Sequence, residues 1–340
     1  IDGDGNGSAV ILSSDGIYLE GFKIINSSRR EVDAGLKLIS NKNVLRDNVV
    51  AQNNATGIQL SGSMDNQIIN NTIMENGLHG ISLDHNSSQN NISLNSINGN
   101  NGSGIALWNN SDGNLLEDND LSSNQLGISL WDGCNRNLIL RNNASANAFS
   151  GIQIYRSLES TIAENTAAFN SYSGIASISS MKSRIIDNNL SRNKYGINLA
   201  GASGDEISGN LAWSNLMQGL KVADSMNISL KENQLHKNRD DLFITDSQSV
   251  EAYSNNASLN DLGMAFQNCR LCTVKENIIS KNGNGLVLAG SFQCTLSSNR
   301  ILHNRLEGLA LGGSHENLIQ ENQLQGNYDG IYMDNSINNS

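Results

Sequence analysis

The chain contains no proline in its 340 residues, so no strand in it is broken by a missing N–H or by a ring-locked φ. Aromatic residues make up 5 % and charged residues 16 %, which leaves solubility to the amides and hydroxyls of asparagine and serine. No run of about eighteen apolar residues occurs, so no segment reads as a membrane-spanning helix. Lysine and arginine never form a block, and the formal charge is −11; that balance argues against nucleic acid as a partner. The sequence starts at Ile1 without methionine or a signal segment. It is therefore expected to be an excised or processed piece whose targeting signal lies elsewhere.

What is present is a repeat. A Gly-apolar-x-apolar motif occurs at Gly16-Ile17-Tyr18-Leu19, Gly35-Leu36-Lys37-Leu38, Gly57-Ile58-Gln59-Leu60 and Gly80-Ile81-Ser82-Leu83. It continues to Gly330 with a spacing of 22 to 24 residues from Gly35 onward, and Asp241 stands once in the glycine position. The alternating apolar pair predicts a short strand with one buried face. A period near 22 is too short for a helical pair but suits one turn of a three-sided β-coil.

Each of thirteen coils also carries two asparagines five residues apart, from Asn48/Asn53 and Asn71/Asn76 to Asn299/Asn304 and Asn322/Asn327. Asparagine tolerates the left-handed backbone of a corner, and amides stacked at ~4.8 Å can bond from coil to coil. Apolar rows lie three residues before the first asparagine (Leu45, Ile68, Ile92) and two after it (Val50, Ile73, Ile97). Together with the glycine-led strand they supply three inward faces. Length alone suggests two domains, yet a solenoid grows along one axis without thickening its core. One β-helix domain over residues 1–340 is expected, with irregular opening coils at 1–34, regular coils at 35–329 and a truncated coil at 330–340.

This repeat, with its opening Ile1-Asp2-Gly3-Asp4-Gly5-Asn6-Gly7-Ser8, resembles the NosD-type β-helix family of carbohydrate-binding and sugar-hydrolase repeats. The resemblance covers essentially the whole chain. It implies an all-β, right-handed single-stranded parallel β-helix of about fifteen coils with asparagine ladders. Members of the family include a periplasmic protein of nitrous oxide reductase maturation, polysaccharide-modifying enzymes and many archaeal and bacterial surface proteins. It therefore implies an extracellular, cell-surface or periplasmic location and leaves activity open. The mannuronan epimerases are set aside, because their Asp-Pro-His-Asp motif needs a proline. Asn-x-Ser/Thr sequons, among them Asn54, Asn86, Asn101 and Asn227, are consistent either with a glycosylated surface protein or with the chance product of an Asn- and Ser-rich repeat.

Four cysteines occur, at 134, 269, 272 and 294. Cys272 and Cys294 share a row, five residues before the first ladder asparagine, that runs Asn43, Asn66, Asn90 and later Asp205, Ile228, Val250. They read as packed thiols or a disulfide between adjacent coils. The alternative is a soft-metal site from Cys269, Cys272 and Cys294, which would suit copper. Against it, His236, His303 and His315 are scattered. The acidic Glu117-Asp118-Asn119-Asp120 stretch offers calcium as a second cation, or simply a solvated corner.

Just after the glycine-led strand, successive coils carry Asp84-His85, Trp108-Asn109, Trp131-Asp132 and Tyr155-Arg156. In most other coils these positions are small or neutral, such as Ala200-Gly201, Ala289-Gly290 and Gly312-Gly313. A column of aromatics bordered by polar groups suits the apolar faces of sugar rings, and equally the plain covering of a sheet edge. If the column is catalytic, Asp84, His85, Asp132 and Arg156 are the candidates, glycoside hydrolysis needing two carboxyls ~5–9.5 Å apart. The expected partner is a polysaccharide or cell-envelope glycan. Binding or scaffolding without catalysis is the first reading, polysaccharide degradation or modification the second, copper handling the third. Homo-oligomers or flanking domains are expected at the open coil ends.

Overall fold

A computed structural model describes all residues, 1–340, and divides into two compact units, Ile1–Tyr172 and Ser173–Ser340. Each unit contains strands and turns only, and every strand pair in it is parallel. In the first unit, seven strands of a first row include Ala34–Leu38, Thr56–Ser61, Ile81–Asp84, Ser103–Leu107 and Leu126–Trp131. A second row runs from Tyr18–Glu20 through Val44–Arg46 to Thr161–Ala163, and a third from Lys23–Ile24 to Ser96–Asn98. Beyond Ser96 the third row continues only as single bridges at Asp120, Asn143 and Thr166. The second unit repeats the plan with eight, seven and six strands, its third row running from Leu211–Trp213 to Gln323–Gln325. The count is thus about fourteen complete turns and a truncated last one, Asp329–Asp334 being followed by no second-row strand.

The register is the predicted one. Ile81 lies beside Ile58 and Ile105, Ile92 beside Ile68 and Leu116, and Ile97 beside Ile73, all of them fully buried. Like residues stack on like, and a one-residue slip would turn each apolar row outward. One expected strand moves: Gly16-Ile17-Tyr18-Leu19 is in the second row, where Leu19 pairs with Leu45. Its φ of +74° makes Gly16 a corner, and the first-row strand of that coil is Val10–Leu12.

The asparagines do not themselves take the left-handed conformation. The residue before each one does, as at Asp47, Asn70 and Leu94 ahead of Asn48, Asn71 and Asn95, with φ of 54°, 55° and 59°. The amide instead satisfies the backbone that the corner leaves unpaired. Asn95 Oδ1 accepts the Asn71 N–H at 2.9 Å, while its Nδ2 donates to Ile68 O at 2.8 Å. A buried N–H or C=O without a partner costs about 1–3 kcal/mol, so each amide removes two such penalties at once. The row of Asn43, Asn66 and Asn90 bonds in the same way and is a third ladder. A serine column lies three residues ahead of it: Ser63 N–H donates to Ser87 Oγ and, in the second unit, Ser225 N–H to Ser247 Oγ.

Candidate functional site

The column after the first-row strands is assembled as the spacing implies. The Trp108 and Trp131 rings are stacked, 5.5 Å apart and 7° from parallel. Tyr155 follows at 5.2 Å, tilted by 50°. Both tryptophans are only half-buried, so part of each ring meets solvent. The residues after them turn the chain: His85, Asn109, Asp132 and Arg156 have φ of 54°, 48°, 45° and 49°. Gly62, Gly201 and Gly290 take the same left-handed turn in other coils. Ser179, Asp224, Asp246 and Asn268 take it too, so the turn belongs to the coil and not to the column alone. Each turn is tied from behind, since Ser87 Oγ donates to Asp84 O at 2.7 Å and Ser111 Oγ to Trp108 O at 2.8 Å. Cys134 Sγ donates to Trp131 O at 3.1 Å in the same place.

The four catalytic candidates fall into two pairs. Asp84 accepts the His85 N–H and the Asn109 Nδ2, both at 2.7 Å, and its second oxygen lies 2.9 Å from His85 Nδ1. Asp132 faces Arg156 at 3.5 Å, both side chains being more than half exposed. Arg156 also lies over the Tyr155 ring, 4.6 Å from its centre. Exposed pairs of this kind are worth about 0–1 kcal/mol and leave the arginine available to a ligand.

The sequence reading missed His79. This half-buried histidine sits 6.2 Å from Trp108 and extends the column by one ring. Burial lowers it to about 4, and its Nδ1 accepts the Ser103 N–H at 3.0 Å, so it is a neutral ring that keeps its proton on Nε2. Its only sequence signal is its place next to Gly80, which no other coil marks with histidine. His79, Trp108, Asp84 and Asn109 border an open cleft of about 420 Å³ with Gln59, Ser82 and Glu31. Its lining includes no lysine or arginine, and the buried Oε1 of Gln59 has no hydrogen-bond partner.

The remaining candidates are structural. Cys134 and Cys269 replace serines of the serine column, and Cys272 and Cys294 replace asparagines of the third ladder. All four are free and buried. Hydrogen bonds from Cys269 and Cys294 to Cys272 raise the two donors and lower the acceptor, and burial raises Cys134 to about 11. The sulfurs of Cys269 and Cys272 also donate to backbone carbonyls, at 3.3 Å to Gln267 O and 3.5 Å to Arg270 O. No group of three or more His, Cys, Asp or Glu side chains is arranged to hold a metal ion. The thiols suit copper by softness, but not by arrangement. Calcium fares no better at residues 117–120. Arg141 bonds Glu117 and Asp118, Asn119 is buried in a ladder, and Asp120 accepts Asn143 Nδ2.

The sequence profile of a family described as periplasmic copper-binding protein (NosD) matches residues 4–148 and 214–340. A profile described as right handed beta helix region matches residues 127–264. Among curated proteins no sequence match is found. Among solved structures, the A-module of mannuronan C-5 epimerase AlgE6 from Azotobacter vinelandii is similar with a TM-score of 0.56. The two are 14 % identical over 90 % of this chain and 90 % of that one. The A-module of AlgE4 from the same organism gives 0.46 at 14 % identity, over 100 % of this chain and 87 % of its own. The Dettilon tailspike protein gives 0.42 at 14 %, over 96 % and 60 %. At such identity the likeness to AlgE6 is one of fold, and this chain, without proline, lacks any Asp-Pro-His-Asp sequence.

Proposed function

From the premise that the chain belongs to the NosD family of right-handed β-helix proteins, we propose that it binds polysaccharide of the cell envelope on the Trp108–Trp131–Tyr155 column, without catalysis of its own. The observation that carries this reading is the stacked, half-exposed pair Trp108 and Trp131, prolonged by Tyr155 and His79. Four rings in line leave a continuous aromatic edge exposed over several coils, and the polar groups between them offer hydrogen bonds to hydroxyls.

Binding is favoured over chemistry by the state of the carboxylates. The donors of His85 and Asn109 already engage Asp84, and Asp132 lies on the open surface beside Arg156. Copper handling is supported by the family description alone, since the thiols do not form a ligand set. An extracytoplasmic location agrees with that description and with the exposure of the sequon residues Asn54, Asn86, Asn101 and Asn227.

The test is a panel of soluble polysaccharides offered to the wild type and to a Trp108→Ala/Trp131→Ala variant, followed for binding and for released or unsaturated sugars. Binding that disappears in the variant, with no product, is the expected result. Product release by the wild type would replace this reading with an enzymatic one.

A further inference from the structure

The third tryptophan, Trp213, lies outside the column just described. It ends the third-row strand Leu211–Trp213, where it pairs with His236 of the next coil. The two rings are stacked, 6.4 Å apart and 14° from parallel, and both are half-buried. Arg192 lies over the indole, 5.1 Å from its centre. Beside His236 the corner carries Lys237, and an open cleft of about 400 Å³ continues from Lys237 past Leu259 to Lys281 and Arg305.

The charge here runs against that of the chain. In a protein of net charge −11, the cleft gathers three cations against a single carboxylate, Asp261. That carboxylate is 3.5 Å from Arg305, and Lys237 and Lys281 have no ion-pair partner. Burial, then Lys237, lowers His236 from the ordinary imidazole value. Lys237 and Lys281 both occupy the left-handed corner position, with φ of 56° and 58°. They stand two coils apart in one column, on the order of 10 Å along the axis.

We infer that this corner is a second glycan site, specific for a carboxylate-bearing sugar chain. The exposed rim of the Trp213–His236 pair packs against a sugar ring beside the cleft, and Lys237, Lys281 and Arg305 meet carboxylates placed along the chain. The ladder spacing supplies the periodicity: cations repeated at whole numbers of coils match acid groups repeated along a polymer. The site is independent of the Trp108 column, whose cleft carries Glu31 and Asp84 and no cation. The remaining surface is acidic and gives a densely charged phosphodiester backbone no continued basic track, which favours a glycan over nucleic acid.

The experiment titrates the whole chain with polygalacturonate, a neutral glucan and single-stranded DNA. The proteins compared are wild type, Trp213→Ala, Lys237→Asn/Lys281→Asn and Trp108→Ala/Trp131→Ala. Asparagine keeps the left-handed corner while removing the charge, so the lysine variant keeps the fold. Polygalacturonate is expected to bind the wild type with an affinity that falls as salt rises. The loss should be at least about fivefold in the lysine variant and in Trp213→Ala, with no change in the Trp108→Ala/Trp131→Ala protein. Three results would overturn the inference: no polygalacturonate binding, binding indifferent to both changes, or DNA bound at least as tightly. Failure of the Trp108 reading shows separately, as neutral-glucan binding that is absent from the wild type or unaffected by the Trp108→Ala/Trp131→Ala change.

Discussion

The units Ile1–Tyr172 and Ser173–Ser340 are built from the same coil and carry different surfaces. Their inward rows, ladders and left-handed corners correspond position by position. Outside, the first holds nine lysines and arginines against seventeen acids, and the second thirteen against sixteen. The first places its tryptophans after the first-row strands, beside an acid-lined cleft; the second places Trp213 at a third-row corner, beside a basic one. The difference teaches where such a protein keeps its function. Residues that face in or bond along the axis have little freedom, whereas the corner positions are free to vary from coil to coil.

The sameness of the frames is best broken by cutting one ladder in each. Asn119 Oδ1 accepts from Asn95 N–H and its Nδ2 donates to Ile92 O; Asn277 does the same for Asn255 and Ala252. Asn119→Ala and Asn277→Ala should each cost about 3 kcal/mol in denaturant unfolding, two buried backbone groups being orphaned. A cost near zero at either would mean that its ladder does not carry the load given to it here.

The second effect belongs to the second unit alone. Asp205 stands in the third ladder, almost fully buried, with one oxygen accepting Ser183 N–H at 2.9 Å and the other unpaired. Burial pushes its carboxyl up to about 7. An acid raised by folding stabilises while protonated, so its contribution is whole below the ordinary value of 3.8 and is lost as pH climbs toward 7. Asp205→Asn restores the ladder amide and removes that dependence. At pH 8 it should raise stability by about 2 kcal/mol, and at pH 4 by much less, in melts at the two pH values.

Smaller still is the exchange of the odd thiols. Cys134→Ser and Cys269→Ser put back the residue of the serine column and should shift stability by less than about 1 kcal/mol. A large loss at Cys269 alone would give the second unit's thiols a role beyond packing. Least of all, Arg156→Gln should change stability by under about 0.5 kcal/mol, because its pairing with Asp132 is exposed.

Much of this frame could be read from the sequence, because a solenoid repeats its reasons. Gly57, Ile58, Leu60 and Asn71 recur in register, and a period of 22 to 24 with three apolar rows at fixed offsets suits one turn of a three-sided β-coil. The corners were less legible. The left-handed residue varies in type, from Asp47 to Leu94 to Phe169, so composition pointed to the constant neighbour instead. The first coil misled because Gly16-Ile17-Tyr18-Leu19 imitates a first-row strand in a coil of different length. Of the candidate site, Trp108, Trp131 and Tyr155 were visible as a departure from small residues in one column. His79 and Trp213 were not, since each reaches its partner from a position whose own column announces nothing. The cysteines read first as packed thiols, and their columns identify them as substitutes for serine and asparagine.

The central claim, sugar binding on the Trp108–Trp131 pair, has a direct readout in a chain with three tryptophans. In a Trp213→Phe protein all indole emission comes from that pair. Titration with the polysaccharide that binds best should shift this emission saturably, at the concentrations that saturate binding, while no new sugar ends appear. Saturable binding that leaves the emission unchanged would contradict the account and place the glycan elsewhere on the coil.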